Sequence, residues 1–355
     1  MNLNTYSNPL IIIGDKEVEY YDKFSLINSG NNQINSLSVS GINKSFIDYK
    51  LLNQEITLFL NEGGIDSVPA FRGIIKKINP TTNTISITAY DPRILISGKD
   101  AFPVIVDDIE NYDGYTLVQF MYDYIDTHIN KDSVKIGLDM LSETTPKLLM
   151  RDFRTDLAVP YQIMQDCLSQ IIDDSYVENP IDFEIVMIDD GKKSNIALVN
   201  RIDLKNATPS IRYDLLDGIN KITYSKVTPP TFALVRGEHD VKSRFQLGNM
   251  GSGQSGVTVT GPYIDRNSAK QAGIIEIFKK QKELNNISIE VTKGYNVSVG
   301  SIINLYINDN INETFEISDN HRVTSKTINY TQAKGCTMNL RLNNQNLKVS
   351  DFISG

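Results

Sequence analysis

Three histidines and two cysteines are nearly all this chain offers to nucleophilic or metal chemistry. His128, His239 and His321 are scattered, and none has a second histidine at i+4, the spacing that sets two imidazoles on one helix face around zinc. Neither H-E-x-x-H nor G-x-S-x-G occurs. Cys167 and Cys336 have no metal-ligand spacing and form no disulfide framework. Cys167 falls on the apolar stripe of a predicted helix, and Cys336 alternates with Met338, Leu340 and Leu342. Both read as small core residues in a protein kept in a reducing cytoplasm.

The carboxylate pairs Asp107/Asp108, Asp173/Asp174 and Asp189/Asp190 have the residue types of a metal or glycosidase site. Each sits in turn-like sequence, where Asp serves backbone hydrogen bonding and solvation. The stretch "NDNINE" (Asn308–Glu313) has oxygen ligands but lacks the ordered spacing and glycine of a calcium loop, so it reads as a hairpin tip. "GSGQSG" (Gly251–Gly256) matches G-x-G-x-x-G, yet a dinucleotide site needs that run between a strand and a helix N-terminus. Here the strand-like "VTVTG" follows, so a loop is the reading. No catalytic, cofactor-binding or metal-ligating residue is assigned, and no cofactor is expected.

The 355 residues carry a net charge of −8, with 40% hydrophobic and 22% charged residues. That composition supports folded cores and excludes a protein that grips nucleic acid through a basic surface. No apolar run approaches the roughly 20 residues of a membrane span, so no membrane anchor is expected. "MNLNTYSNP" lacks the pattern of a secretion signal.

Stepping along the chain, "SLSVS" (Ser36–Ser40), "EITLFL" (Glu55–Leu60), "FRGIIKKI" (Phe71–Ile78) and "TISITAYD" (Thr84–Asp91) alternate with period two, as half-buried antiparallel strands do. They predict a small β-barrel over residues 1–103. Helical periodicity then appears at Leu117, Phe120, Met121, Tyr124, Ile125 and His128, and again at Ile163, Met164, Cys167, Leu168, Ile171 and Ile172. An Asp-Gly hairpin joins "FEIVMI" to "NIALVN". Residues 104–203 therefore read as an inserted α+β domain. Strands resume over 204–240 and 286–345, including "GINKITYSKV", "TFALVRGEH", "YNVSV" and "SIINLYI", and predict a second barrel. It is interrupted at 241–285 by a Gly/Ser loop and a helix near Ser268–Leu284, and residues 346–355 form a tail. The fold class is mainly β with an α+β insertion.

The two β-rich parts echo each other. "EITLFL" before the first hairpin corresponds to "SIINLYI" (Ser301–Ile307) before the second, a turn-rich spacer follows each, and Phe71 aligns with Phe315. "ISITAYD" and "CTMNLRL" are the closing strands. Two similar barrels per chain let three chains present six quasi-equivalent units, which is how a threefold object can meet a sixfold one.

The run "VGSIINLYINDNINETFEISDNHRVTSKTINYTQAKGCTMNLRL" resembles the late-control-protein D and baseplate hub family of contractile phage tails, with Gly300, His321, Gly335, Thr337, Leu340 and Leu342 at the family's positions. "PPTFALVRGE" resembles the strand entering the family's second barrel. "FRGIIKKINPTTNTISITAYDPRILI" resembles the first barrel, with its aromatic-x-Gly strand (Phe71, Gly73) and a strand ending in Asp (Asp91). The resemblance implies a non-enzymatic homotrimer forming a pseudo-sixfold ring between the tail tube protein ring and the central spike protein, beside other baseplate proteins, with genomic DNA passing transiently through its bore. It places the protein in the virion tail baseplate after synthesis in the bacterial host cytoplasm. Any spike or hydrolase is expected on a separate chain. Structural or interface roles fall to Phe71, Gly73, Asp91, Phe315, His321 and Gly335. A bore that lets DNA slide would be lined by acidic or neutral residues, since a basic lining binds phosphate along its length. The hub of a phage-tail-like bacteriocin or other contractile injection system stays open as an alternative. From another class, so does a tail-associated cell-wall hydrolase or carbohydrate-binding protein.

Overall fold

The computed structural model describes residues 9–29, 33–43, 51–60, 68–97, 136–139, 159, 161, 183–189, 194–200, 211–214, 219–226, 230–237, 241–246, 255–261, 285–291, 294–295, 297–308 and 316–343, with single helical positions between 266 and 277. The first strands are β1 (Leu10–Ile13), β2 (Lys16–Glu17), β3 (Lys23–Ser29), β4 (Ser36–Asn43), β5 (Glu55–Phe59), β6 (Phe71–Pro80) and β7 (Thr84–Tyr90). The middle of the chain supplies β8 (Ile136–Asp139), β9 (Phe183–Asp189) and β10 (Ser194–Asn200). Then come β11 (Ile211–Asp214), β12 (Ile219–Lys226), β13 (Pro230–Arg236), β14 (Lys242–Gln246) and β15 (Ser255–Thr260). The last strands are β16 (Asn285–Val291), β17 (Ile302–Asn308), β18 (Glu316–Thr331) and β19 (Gly335–Asn343).

Alternation decides which face each strand buries. In β7, Ile85, Ile87 and Ala89 are buried while Thr84, Ser86, Thr88 and Tyr90 are half-buried, as a pleated strand with one apolar face requires. The same period holds in β4 and β19, and these faces merge into one apolar core drawing on both ends of the chain, from Ile11 and Leu37 to Met338 and Leu342.

The N-terminal strands run β3-β4-β7-β6-β5-β1 across the sheet, and the C-terminal strands run β12-β16-β19-β18-β17-β11. Taken in chain order, the two sets match strand for strand: β1 with β11, β3 with β12, β4 with β16, and β5, β6 and β7 with β17, β18 and β19. The hairpins share a bulge, between Ile75 and Lys77 in one and between Val323 and Ser325 in the other. Their entry corners are also alike. Asn53 at φ 66° and Gly300 at φ 88° both occupy the left-handed region. The N–H of each donates at 2.8 Å to the carbonyl of the residue before the bulge, Ile75 or Val323. The N–H groups of Ile75 and Val323 return bonds to Gln54 and Ser301 at 3.0 and 2.9 Å. One difference remains, since β1 meets β5 antiparallel whereas β11 meets β17 parallel. The mainly β, pseudo-duplicated architecture is therefore present as two six-stranded arrays.

The register moves one expected correspondence. Ile74 pairs with both Glu55 and Tyr90, as Arg322 pairs with both Ile302 and Asn343. Phe71 thus corresponds to Asp319 and Gly73 to His321, four residues away from the match of Phe71 with Phe315. Two aromatic residues opening similar strands suggested the wrong register because β18 begins its ladder earlier than β6. Phe315 itself lies outside the described residues.

The arrays are joined by β3, which pairs antiparallel with β18 from Lys23↔Thr331 to Ser29↔Ser325, making a single 13-stranded sheet. Tyr330 stacks on Phe24 at 5.4 Å between ring centroids, with Tyr21 5.6 Å from Tyr330. These buried rings fill the seam between the arrays.

Two smaller sheets stand apart. The Asp-Gly hairpin forms as expected, β9 pairing antiparallel with β10, while β8 joins β10 in parallel. β13 was expected in the second barrel, but it pairs with β14 and β15 in its own sheet. "YNVSV" is a turn rather than a strand. Its alternating Tyr295 and Val297 are buried because the turn folds onto the core, and the Lys326 ammonium donates to both their carbonyls at 2.8 Å. Positions 266, 269, 270, 273, 276 and 277 are helical, with Ala269 and Ile277 packed on Ala233 and Val235. The predicted helices at 117–128 and 163–172, with His128 and Cys167, lie outside the described residues, as do His239 and the 346–355 tail.

Candidate functional site

The face of the large sheet opposite the core is where the fold gathers polar groups into a continuous surface. Paired residues of antiparallel strands share a face, so the ladder can be followed across both arrays. One row runs Lys77–Thr88–Ser38–Ser25–Asn329–Thr337. A second runs Tyr90–Ser36–Ile27–Thr327–Asn339–Glu290–Lys221. A third runs Ser29–Ser325–Arg341–Ser288–Thr223. Each crosses the β3–β18 seam without a break. At the seam the Ser25 hydroxyl lies 2.8 Å from the Asn329 side-chain oxygen, to which it donates.

Hydroxyls and amides dominate these rows, and the side chains from Ser25 to Thr337 are half-buried or exposed. The charged positions are Lys77, Lys221, Arg341 and Glu290. The face is thus mostly neutral with a small cationic excess, neither acidic nor continuously basic. Such a surface hydrogen-bonds water and passing solutes but supplies no proton-transfer couple. His321, the one histidine among the described residues, is fully buried in β18. Among the described residues no three His, Cys, Asp or Glu side chains are grouped to hold a metal.

The residues singled out in the sequence underpin this sheet rather than lying together on it. Phe71 is buried at the start of β6, and its ring covers Gly73. A Cβ at Gly73 would come within 2.5 Å of both the Phe71 ring and the Tyr90 carbonyl oxygen. Gly335 opens β19 at φ 69° with open space around it, so backbone conformation alone selects glycine there.

Asp91 has the richest environment. Its carboxylate accepts the Asn35 N–H at 2.6 Å, the Arg93 N–H at 2.9 Å and the Arg93 Nη2 at 2.6 Å. The side chains of Asp91 and Arg93 are 2% and 1% exposed. Burial by itself lowers the Arg93 pKa, but the Asp91 carboxylate and the Tyr161 hydroxyl outweigh it and the net shift is upward. The Arg93 Nη1 donates to Tyr161 at 3.4 Å, tying the first array to the chain segment that follows it. The signal for this link was the spacing Asp91-x-Arg93 after a strand, of which only the Asp was singled out. The Gly251–Gly256 run also resolves at its end. Gly256 faces Phe232 across β13 and β15, and a Cβ there would meet the ring at 2.2 Å. Close packing, not phosphate, accounts for this glycine.

No protein-family model matches the chain, and no curated protein matches it. Solved structures do. A tail protein from Neisseria meningitidis MC58 is similar at 11% identity and a TM-score of 0.68, over 97% of this chain and 98% of that one. A 43 kDa tail protein from a Shewanella oneidensis prophage is similar at 11% identity and a TM-score of 0.67, over 98% of this chain and all of that one. An Escherichia coli component of the type VI secretion system, itself described as structurally similar to T4 bacteriophage tail proteins, matches at 10% identity and a TM-score of 0.59, over 95% of this chain and 75% of that one. Two six-stranded arrays on one curled sheet are thus the fold of phage tail and baseplate-like proteins, and this chain has that fold along nearly its whole length.

Proposed function

We propose that the protein is a baseplate hub, a structural homotrimer whose six arrays form a pseudo-sixfold ring joining the tail tube to the central spike. The observation that carries this reading is the matched order of the two arrays, because six similar units from three chains can meet six tube subunits on one side and three spike chains on the other. The role is assembly without turnover, in a virion tail baseplate with the tube ring, the spike and other baseplate proteins as partners. The hydroxyl-rich face is the bore lining. Its scarcity of cations lets genomic DNA pass with few phosphate contacts to break, so the neutral half of the charge expectation is the one retained. The likeness to a type VI secretion component favours, equally, the hub of a contractile injection system other than a phage.

The experiment is light scattering on the purified protein with negative-stain imaging of the same sample. A threefold mass and ring-shaped particles with six lobes are expected. A monomer that stays monomeric with spike and tube proteins added overturns the reading. Peptidoglycan release by the purified chain would transfer it to the hydrolase alternative.

A further inference from the structure

The β3–β18 seam has an unfilled counterpart. At β18, strand β17 covers residues 316–322 on one side, and β3 takes over from Ser325 to Thr331. At β6, strand β5 covers Phe71–Ile74. Beyond the bulge, among the described strands, nothing takes over along Lys77–Pro80. The strand equivalent to β3 is β12, which among the described strands pairs with β16 alone.

Exposure follows the same logic. Leu26 in β3 is fully buried, whereas Tyr224, its equivalent in β12, is 41% exposed. Lys326 and Ile328 in β18 are buried, whereas Ile78 is half-buried and Pro80 exposed.

We infer that the Lys77–Pro80 edge of β6 pairs antiparallel with β12 of a second copy of this chain, repeating between molecules the seam that β18 and β3 make within one. The inference rests on the ring reading and deepens it by naming the joining surfaces. The internal register transfers directly. Lys326↔Asn28, Thr327↔Ile27 and Ile328↔Leu26 become Ile78 opposite Lys226, Asn79 opposite Ser225 and Pro80 opposite Tyr224. Thr81 donates to the Thr84 carbonyl at 2.8 Å, closing the hairpin towards β7. Alternation then turns the backbone groups of Ile78 and Pro80 outward.

Proline supplies only its carbonyl. The β6 hairpin also has four paired positions past its bulge where β18 has seven. The contact between copies is therefore a shorter, weaker ladder than the internal one. Such a head-to-tail contact closes into a ring when its rotation permits. Lys77 and Pro80 are equally the residue types that keep an edge from pairing, and the test must separate these readings.

The test is disulfide trapping with Asn79→Cys and Ser225→Cys in one chain. This would be a non-hydrogen-bonded pair, with Cα atoms about 4.5 Å apart, within disulfide reach. Thr327→Cys with Ile27→Cys is the internal control, and the parent chain gives the background from its own two cysteines. After mild oxidation, non-reducing gels are expected to show a ladder ending at a covalent trimer, with the two single variants mixed giving dimers only. A native trimer whose internal control closes but whose 79/225 pair does not cross-link overturns the seam and leaves the hub reading standing. A ladder running past three supports the seam and overturns threefold closure. A protein monomeric at all concentrations, with the internal control closed, overturns both.

Discussion

Removing the Asp91 carboxylate is the sharpest perturbation the fold offers. In Asp91→Ala the Arg93 guanidinium, 1% exposed, keeps its charge and loses its counter-ion. The same change strips an acceptor from the Asn35 N–H, which holds the start of β4 to the end of β7. Breaking a buried pair by deleting one partner costs about 3–5 kcal/mol. Asp91→Asn keeps an oxygen for the Arg93 and Asn35 N–H groups and loses only the charge, so about half that loss is expected. Asp91→Leu with Arg93→Met removes both charges, and this double variant is expected within about 1 kcal/mol of the parent.

Urea unfolding followed by circular dichroism reads these differences, since the chain has no tryptophan and guanidinium would screen the charges. With a urea slope of about 2 kcal/mol/M, Asp91→Ala should move the midpoint down by roughly 2 M. A shift below about 0.5 M, or a double variant as unstable as Asp91→Ala, would refute the reasoning. The first result would mean that the pair is solvated, and the second that Asp91 acts through its backbone bonds rather than its charge.

Gly73→Ala should cost about 1–3 kcal/mol, because its Cβ meets a backbone carbonyl as well as the Phe71 ring. Thermal unfolding of Gly73→Ala with and without Phe71→Ala separates the two clashes, and only the ring clash is relieved by the second change. Gly300→Asn should be nearly neutral, since Asn53 holds the equivalent left-handed corner. Gly300→Val should lose about 1–2 kcal/mol with no steric contact involved, and equal midpoints for the two variants would count against the matched corners. Burial, then Tyr330 and Cys336, pushes the Tyr21 phenol above its ordinary value near 10. The folded state therefore holds that proton more tightly than the unfolded chain. Its contribution is complete below about pH 10 and falls by about 1.4 kcal/mol per pH unit above it, until the folded group ionises. Tyr21→Phe should remove that slope from a stability-versus-pH curve measured between pH 9 and 12.

Alternation made most strands readable, because each large-sheet strand buries one face and leaves the other polar. The internal echo was readable for the same reason, since strand order and spacer position survive when residue identity does not. Its register was not readable. A bulge adds a residue to one strand without any compositional mark, and Phe315 offered a false anchor four positions away. The turn at Tyr295–Val299 mimicked a strand because two side chains of a turn can both face the core. β13 had the right pattern for the second barrel, but pattern carries no information on which edge a strand joins. The polar rows could not be assembled in advance, for they depend on β3 meeting β18, a pairing between residues about 300 positions apart. Asn53 in a left-handed corner is likewise invisible until its bond to Ile75 is seen.

The Ser25–Asn329 bond joins residues 304 positions apart, and that distance has a temporal meaning. At ribosomal speeds of about 5–20 residues per second, β3 waits roughly 15–60 s for its partner to emerge. Through that interval the early half of the polypeptide carries a bare border able to template a stranger, so its yield in a cell should respond to chaperone supply and translation rate more than to the strength of the finished molecule.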